Sequence, residues 1–282
     1  MPLTVAQFLD MRYSKNVRIV AAILAWTAGV INFGIFPAIG SRFFIYFCGL
    51  PDYFTVFGIT ISTFLFLMVS LITVSLFYVF VGGQLTVVIA NFFLGSFTNI
   101  AGVIIVIVLF TTHFNWHQIV EALQTAPVEA SRIDPFHSSG VNDFNVWYFL
   151  IAVFGAWYCQ LSFLGSQACN ASAKTAHEYK MSRVLNHWRW MALCLFFMVL
   201  VLVSYTYLHH PAFVDESSKI SAVLDRISPD PDNAVRLQQT ITVALTRILP
   251  SGLKGLMAAV MLAAVISTYD TFLHTWGTVF VQ

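Results

Sequence analysis

The fold is decided by the stretch Tyr53–Val120, which reads YFTVFGITISTFLFLMVSLITVSLFYVFVGGQLTVVIANFFLGSFTNIAGVIIVIVLFTTHFNWHQIV and contains no Asp, Glu, Lys or Arg. A helix needs roughly 20 apolar residues to cross a bilayer, so this run is too long for one span. The Gly82–Gly83 pair near its middle is a helix-breaking signal that divides it in two. The stretch therefore predicts a helical hairpin within the membrane.

The composition indicates the same class of protein. Hydrophobic residues make up 58% and charged residues 10% of the 282-residue chain, whereas about a quarter of the residues of a soluble domain are charged. The net charge of +1, with no run of Lys or Arg, gives no basis for nucleic acid as a partner. We expect an all-α polytopic protein embedded in the lipid bilayer as a single transmembrane domain over 1–282.

Hydropathy along the rest of the chain predicts six spans. They lie near 18–40, 53–80, 84–112, 145–167, 188–208 and 251–278. Basic residues precede the first span and lie between the fourth and fifth, whereas the long connections near 113–144 and 209–250 are acidic. By the positive-inside rule, the basic side and both chain ends are cytoplasmic, in the inner membrane of the cell, and the two long loops are extracytoplasmic.

The last predicted span places polar side chains in an apolar helix. Ser267, Thr268 and Asp270 lie within AAVMLAAVISTYDT, residues 258–271, and polar groups at membrane depth are costly enough to indicate function. Adjacent hydroxyls are hard oxygen ligands that suit Na⁺ better than a transition metal. The alternative is that they bond to backbone carbonyls four residues earlier and serve packing alone. Asp270 is either a water-exposed residue at the cytoplasmic lip or a carboxylate on an ion path.

Four motifs, in this order along the chain, resemble the sodium:solute symporter family. They are TVAQFLDMRYS from Thr4, YVFVGGQLTVVIANFFLG from Tyr78, NASAKTAHEYKMSRVLNHWR from Asn170 and LPSGLKGLMAAVMLAAVISTYDT from Leu249. The resemblance implies a LeuT-type fold, with two inverted five-helix repeats around a substrate site at the bilayer midplane. On that template the chain supplies the last three helices of repeat one and the first three of repeat two, which implies a fragment.

The resemblance also implies a Na⁺ site. In the family, a backbone carbonyl and two hydroxyls of the eighth core helix bind the ion, and the matching positions here are Ala264, Ser267 and Thr268. Their spacing places all three on nearly one helix face. The other half of the family's site lies on the broken first helix, which this chain lacks, so weak Na⁺ binding is implied for the chain alone. No organic cofactor is implied.

Further positions match the family's solute-binding and ion-path residues. Asn32 resembles a solute-facing position, with an interhelical hydrogen bond as its alternative. Trp157 and Tyr158 resemble an aromatic pair that closes the cavity, with lipid or core packing as the alternative, and Gln160 either lines the cavity or marks the helix end. Asn91 stands where many members carry an Asp on the cytoplasmic ion path, which favours coupling to a single Na⁺.

These features predict Na⁺-coupled symport of a small polar solute by alternating access. The alternatives are a transporter-like sensory domain without transport and a membrane anchor. An enzyme is not expected. His113 and His117 have i, i+4 spacing but lack the intervening Glu of a metalloprotease helix, and no Gly-x-Ser-x-Gly motif occurs. The sequence does not indicate the oligomeric state.

Overall fold

The computed structural model describes residues 5–127, 131–134, 136–137, 146–162 and 173–281. The α-helices in these ranges are α1 (Val5–Arg12), α2 (Lys15–Cys48), α3 (Thr63–Thr112), α4 (Trp116–Gln124), α5 (Val146–Ser162), α6 (Ala176–His209), α7 (Val214–Ile227), α8 (Ala234–Ile248) and α9 (Ser251–Val281). Two short strands, β1 (Tyr53–Val56) and β2 (Ile59–Ser62), pair antiparallel. A 3₁₀ turn at Pro211–Phe213 lies between α6 and α7.

Four helices in the described part of the chain are long and apolar enough to cross a membrane, namely α2, α3, α6 and α9. The chain is therefore an all-α membrane protein, apart from its one described hairpin. The 50-residue α3 covers most of the second and third predicted spans. The predicted span near 145–167 runs past Ser162 into residues outside the described ranges. The count of six spans stays a prediction.

The helix of the second predicted span, near 53–80, begins later in the structure than the sequence predicts. Tyr53–Ser62 forms the β1–β2 hairpin, and the helix begins only at Thr63. Aromatic and β-branched residues favour strands, and the turn residues Phe57 and Gly58 have φ angles of 50° and 80°. Two positive φ angles are typical of the tight turns that close β-hairpins. Uncharged composition alone did not separate this hairpin from the helix that follows.

The interruption of α3 falls at the Gly82–Gly83 pair. Gly83 has φ 57° and ψ −160° within an otherwise helical segment. This backbone conformation is essentially restricted to glycine, because any Cβ would clash. The pair thus breaks the helical geometry where the sequence predicts a division.

The two long predicted loops contain helices. α4 lies within 113–144, and α7 and α8 lie within 209–250. Each has an apolar face with fully buried residues, among them Ile119 on α4 and Ile220 on α7. Burial of these faces stabilises the segments as packed helices rather than as irregular connections.

The chain divides into two compact units. The first comprises Met1–Ala101, Phe163–Leu193 and Leu256–Gln282, and the second comprises Gly102–Ser162 and Cys194–Gly255. In the second unit, the ring of Phe213 contacts those of Phe114 and Tyr207, with centroids 5.5 Å and 4.9 Å away. These contacts bring the connection before α4, the end of α6 and the 3₁₀ turn together.

In the first unit, α2 and α9 pack as an antiparallel pair. The contacts are Trp26–Phe280, Gly29–Trp276, Phe33–Phe272 and Gly40–Val265. As the residue number rises along α2, that of its partner on α9 falls. A buried cluster of Leu71, Val265 and Tyr269 joins α3 to this pair. Glycine at positions 29 and 40 permits the close approach, as small residues do between membrane helices.

Candidate functional site

The three residues implied to bind Na⁺ lie along one face of α9. The Thr268 hydroxyl donates a hydrogen bond to the backbone oxygen of Ala264 at 2.7 Å, as the packing alternative expects. That bond uses the hydroxyl proton and leaves the oxygen lone pairs for a cation. Ala264, Ser267 and Thr268 are all half-buried. The hydrogen bond is therefore compatible with both interpretations of the pair.

The Ser267 hydroxyl forms a different contact, with α3. Ser267 Oγ donates to Asn91 Oδ1 at 2.5 Å, and Asn91 Nδ2 donates to Thr271 Oγ1 at 2.9 Å. A single amide on α3 therefore binds two hydroxyls that lie one helical turn apart on α9. Asn91 is the residue that the resemblance assigns to the ion path, and the structure places it in contact with Ser267, one of the three residues of the implied Na⁺ site.

Thr271 is a member of this cluster that sequence reasoning missed. Its hydroxyl donates to the backbone oxygen of Ser267 at 2.8 Å while accepting from Asn91. The available signal was spacing, because Thr271 lies four residues after Ser267 and so on the same face of a helix. We refer to Asn91, Ser267, Asp270 and Thr271 as the α3–α9 polar cluster.

Asp270 is fully buried, with 0% of its surface exposed. The Thr271 hydroxyl lies 3.2 Å from Asp270 Oδ1, and Oδ2 has no hydrogen-bond partner among the described residues. The side chain is therefore enclosed within the first unit rather than water-exposed. This placement argues against a water-exposed residue at the cytoplasmic lip, and the alternative of a carboxylate on an ion path stays a prediction.

The cluster lies deep within an apolar helix. Ser267 is near the middle of the 31-residue α9, roughly 24 Å from the N-terminal end at 1.5 Å per residue. Tyr269 on the same turn is buried against Phe33 of α2, with ring centroids 5.5 Å apart. This packing fixes the rotation of α9, so that positions 267 and 271 meet Asn91 of α3.

Three of the residues implied for solute binding have described side chains, and each is exposed within its own unit. Asn32 is exposed in the first unit. Trp157 and Tyr158 belong to the second unit and are 66% and 72% exposed. Gln160 is part of α5, but its side chain lies outside the described residues. These four assignments stay predictions.

A groove of about 430 Å³ lies between α2, α3 and α9 in the first unit. Its lining is aromatic and aliphatic, with Trp26, Phe33, Phe272 and Trp276 among its residues. Such a surface offers very few polar groups to orient a polar solute. The groove therefore does not provide the solute site that the resemblance implies.

Comparison with known proteins gives no relative. No protein-family model, curated protein or solved structure matches the chain. The resemblance to the sodium:solute symporters accordingly depends on the four sequence motifs alone.

Proposed function

We propose that this chain forms part of a Na⁺-coupled symporter for a small polar solute. The observation that carries the proposal is the hydrogen bond between Ser267 and Asn91, which joins α9 to α3 in the middle of an apolar helix. Polar groups at membrane depth are retained mainly where they line a pathway or bind an ion. The hydroxyls of Ser267 and Thr268 on α9 lie at the positions where the sequence motifs imply the ion site.

The chemistry of the implied ligands suits Na⁺. A backbone carbonyl at Ala264 and the hydroxyls of Ser267 and Thr268 are hard, neutral oxygen donors. The protons of both hydroxyls are donated to protein acceptors, Asn91 Oδ1 and Ala264 O. Each oxygen can then direct its lone pairs toward a cation.

The antiparallel pairing of α2 and α9 supports the proposed topology. The N-terminal half of α2 lies beside the C-terminal end of α9, where the rings of Trp26 and Phe280 are in contact. Both ends are then on one side of the membrane, and Arg12 and Lys15 favour the cytoplasm for that side. We propose six spans of a LeuT-type bundle in the cytoplasmic membrane, with both chain ends inside.

Ion binding at α9 would couple to transport through its contact with α3. A cation that binds more tightly in one arrangement of these two helices shifts the population toward that arrangement. We propose that Na⁺ and solute both favour the outward-facing state, and that rocking of the bundle then releases them inward. The inward Na⁺ gradient would drive accumulation of the solute.

A sensory domain without transport is the second candidate. The exposed positions of Asn32, Trp157 and Tyr158 favour it, because a solute site is usually enclosed and each of these side chains is exposed within its own unit. A sensor would bind its ligand with no net flux, whereas a symporter moves it across the membrane. Measurement of uptake therefore separates the two functions.

The test is uptake of a panel of polar metabolites into proteoliposomes that contain the native full-length protein. We expect accumulation of one solute class under an inward Na⁺ gradient but not under a K⁺ gradient, with loss of accumulation in the Ser267→Ala/Thr268→Ala variant. Accumulation that ignores both the ion and the substitutions would rule out the assigned ion site. Absence of uptake across the panel would favour the sensory function.

A further inference from the structure

Arg189 is the last charged residue before the apolar part of α6. From Trp190 to Leu208 this helix contains no Asp, Glu, Lys or Arg, and it is long and apolar enough to cross a membrane. Trp188 and Trp190 flank Arg189 and are 69% and 56% exposed. Exposed tryptophans are typical of the level of the lipid headgroups. Arg189 therefore lies where the hydrocarbon core of a bilayer would meet its polar surface.

The guanidinium of Arg189 lies against the backbone of α3. A Cβ atom added at Gly95 would lie 2.8 Å from both Cζ and Nη2 of Arg189, so a side chain at position 95 would displace the guanidinium. Both residues belong to the first unit. The Arg189 side chain is nevertheless exposed. Its N–H donors are thus held between α3 and α6 and can be reached from outside the protein.

The basic residues around the start of α6 have no acidic partner in the described part of the chain. They are Lys174, Lys180, Arg183 and Arg189, and none of the ion pairs formed there includes them. The one acidic residue in this stretch, Glu178, accepts the backbone N–H of Lys174 at 3.0 Å. This surface is therefore positively charged and complementary to an anion.

The position and chemistry of Arg189 suit an anionic phospholipid. A guanidinium presents a planar fork of N–H donors that matches two oxygens of one phosphate, and basic pockets between membrane helices bind anionic headgroups. Exposed apolar side chains lie within one helical turn of Arg189 and Gly95, among them Met191 on α6 and Phe92 on α3. They offer contacts to acyl chains that a soluble phosphate would not use.

We propose that Arg189, held against Gly95, binds the phosphate of an anionic phospholipid between α3 and α6. The proposed topology places this site in the cytoplasmic leaflet, which carries anionic lipid. The site does not depend on the proposed transport function, because it requires only an anionic membrane beside these two helices. Failure of solute uptake would therefore leave it standing.

The test is native mass spectrometry of the purified chain, released from detergent micelles that contain phosphatidylglycerol or phosphatidylcholine. We expect saturable binding of phosphatidylglycerol and weaker binding of phosphatidylcholine. Arg189→Gln should weaken phosphatidylglycerol binding by roughly 10-fold or more, as loss of a hydrogen bond between charged groups does. Gly95→Ala keeps every charge and should also weaken this binding, because the new methyl group displaces the guanidinium.

Lys180→Gln and Gly34→Ala are the matched controls. Lys180 lies nine residues before Arg189 and so on the opposite face of α6. Loss of its charge should weaken binding by no more than about 5-fold, the contribution of one basic residue near an anionic surface. Gly34→Ala should have no effect, because nothing lies within 4 Å of a Cβ there.

Three outcomes would overturn the proposal. Equal losses in Arg189→Gln and Lys180→Gln, or unchanged binding in Gly95→Ala, would attribute the affinity to diffuse surface charge. Equal binding of phosphatidylglycerol and phosphatidylcholine would show that the headgroup charge is not recognised. Displacement of phosphatidylglycerol by inorganic phosphate would assign the site to a soluble anion.

Discussion

The indole ring of Trp276 lies directly against the backbone of Gly29, where α9 crosses α2. A Cβ atom added at position 29 would lie 2.2 Å from Trp276 Cδ2, well inside van der Waals contact. Both residues also line the aromatic groove of the first unit. The absence of a side chain at Gly29 therefore sets how closely the two helices approach.

Gly29→Ala should destabilise the protein, because the new methyl group displaces the indole ring. Overpacking of this kind costs about 1–3 kcal/mol, which a thermal unfolding measurement in detergent will detect. Gly34→Ala, on the same helix, is the control, because nothing lies within 4 Å of a Cβ there. It should be neutral or stabilising by up to about 1 kcal/mol through helix propensity. Equal effects of the two substitutions would contradict the α2–α9 packing.

Phe57→Asn should stabilise the β1–β2 hairpin. Phe57 is fully exposed and has φ 50°, a left-handed conformation that costs a residue with a bulky side chain about 1 kcal/mol. Asn tolerates this conformation and, followed by Gly58, gives the preferred two-residue hairpin turn.

The measurement for Phe57 is amide hydrogen exchange in the Tyr53–Ser62 hairpin, where protection should increase in Phe57→Asn. Phe57→Ala removes the same exposed ring but leaves a strained backbone, so it should give no increase. Greater protection in both variants would attribute the effect to loss of the apolar ring instead of the turn geometry.

A pH-dependent contact connects α4 to the end of α6. His210 Nδ1 accepts the backbone N–H of Ala212 at 3.1 Å, which places the proton of a neutral ring on Nε2. That nitrogen donates to Glu121 Oε2 at 3.0 Å. The hydrogen bond from His210, assisted by His117, lowers the pKa of Glu121 below its usual 4.5.

Because its pKa is lowered on folding, Glu121 stabilises the protein above pH 4.5, and this contribution is lost as the pH falls through the lowered value. The difference in melting temperature between the wild-type protein and Glu121→Gln should be constant in neutral solution. It should shrink to nothing in strongly acidic solution. A difference that persists unchanged at about pH 2 would show that the contact does not depend on ionised Glu121.

The sequence predicts which positions of α9 are polar, but it does not predict which residues of other helices contact them. Helical spacing places Ala264, Ser267 and Thr268 on one face, and the structure does so too. The contact between Ser267 and Asn91 joins residues 176 positions apart, and no local periodicity contains that information. Which side of α9 faces α3 is set by packing around Tyr269, which depends on the tertiary structure.

The helix boundaries are likewise only partly predictable from the sequence. Long apolar segments such as α2 and α9 are evident from composition because each exceeds the thickness of a bilayer. The hairpin before α3 is not evident from composition, because Tyr53–Ser62 is as uncharged as the helix that follows. The sequence likewise does not predict whether Asp270 is buried, because an apolar pattern does not locate the end of a span to within one turn.

The most direct test of the central claim is the Na⁺ concentration that gives half-maximal solute uptake in single-hydroxyl variants of the native full-length protein. Ser267→Ala and Thr268→Ala should each raise it by at least roughly 10-fold, as loss of a ligand group does in metal sites. Thr111→Ala is the control, because its exposed hydroxyl bonds only to backbone oxygens of its own helix, Ile107 O at 2.9 Å and Val108 O at 3.2 Å, and it should have no effect. An unchanged Na⁺ requirement in all three variants would contradict the account, because the hydroxyls of α9 would then serve packing alone.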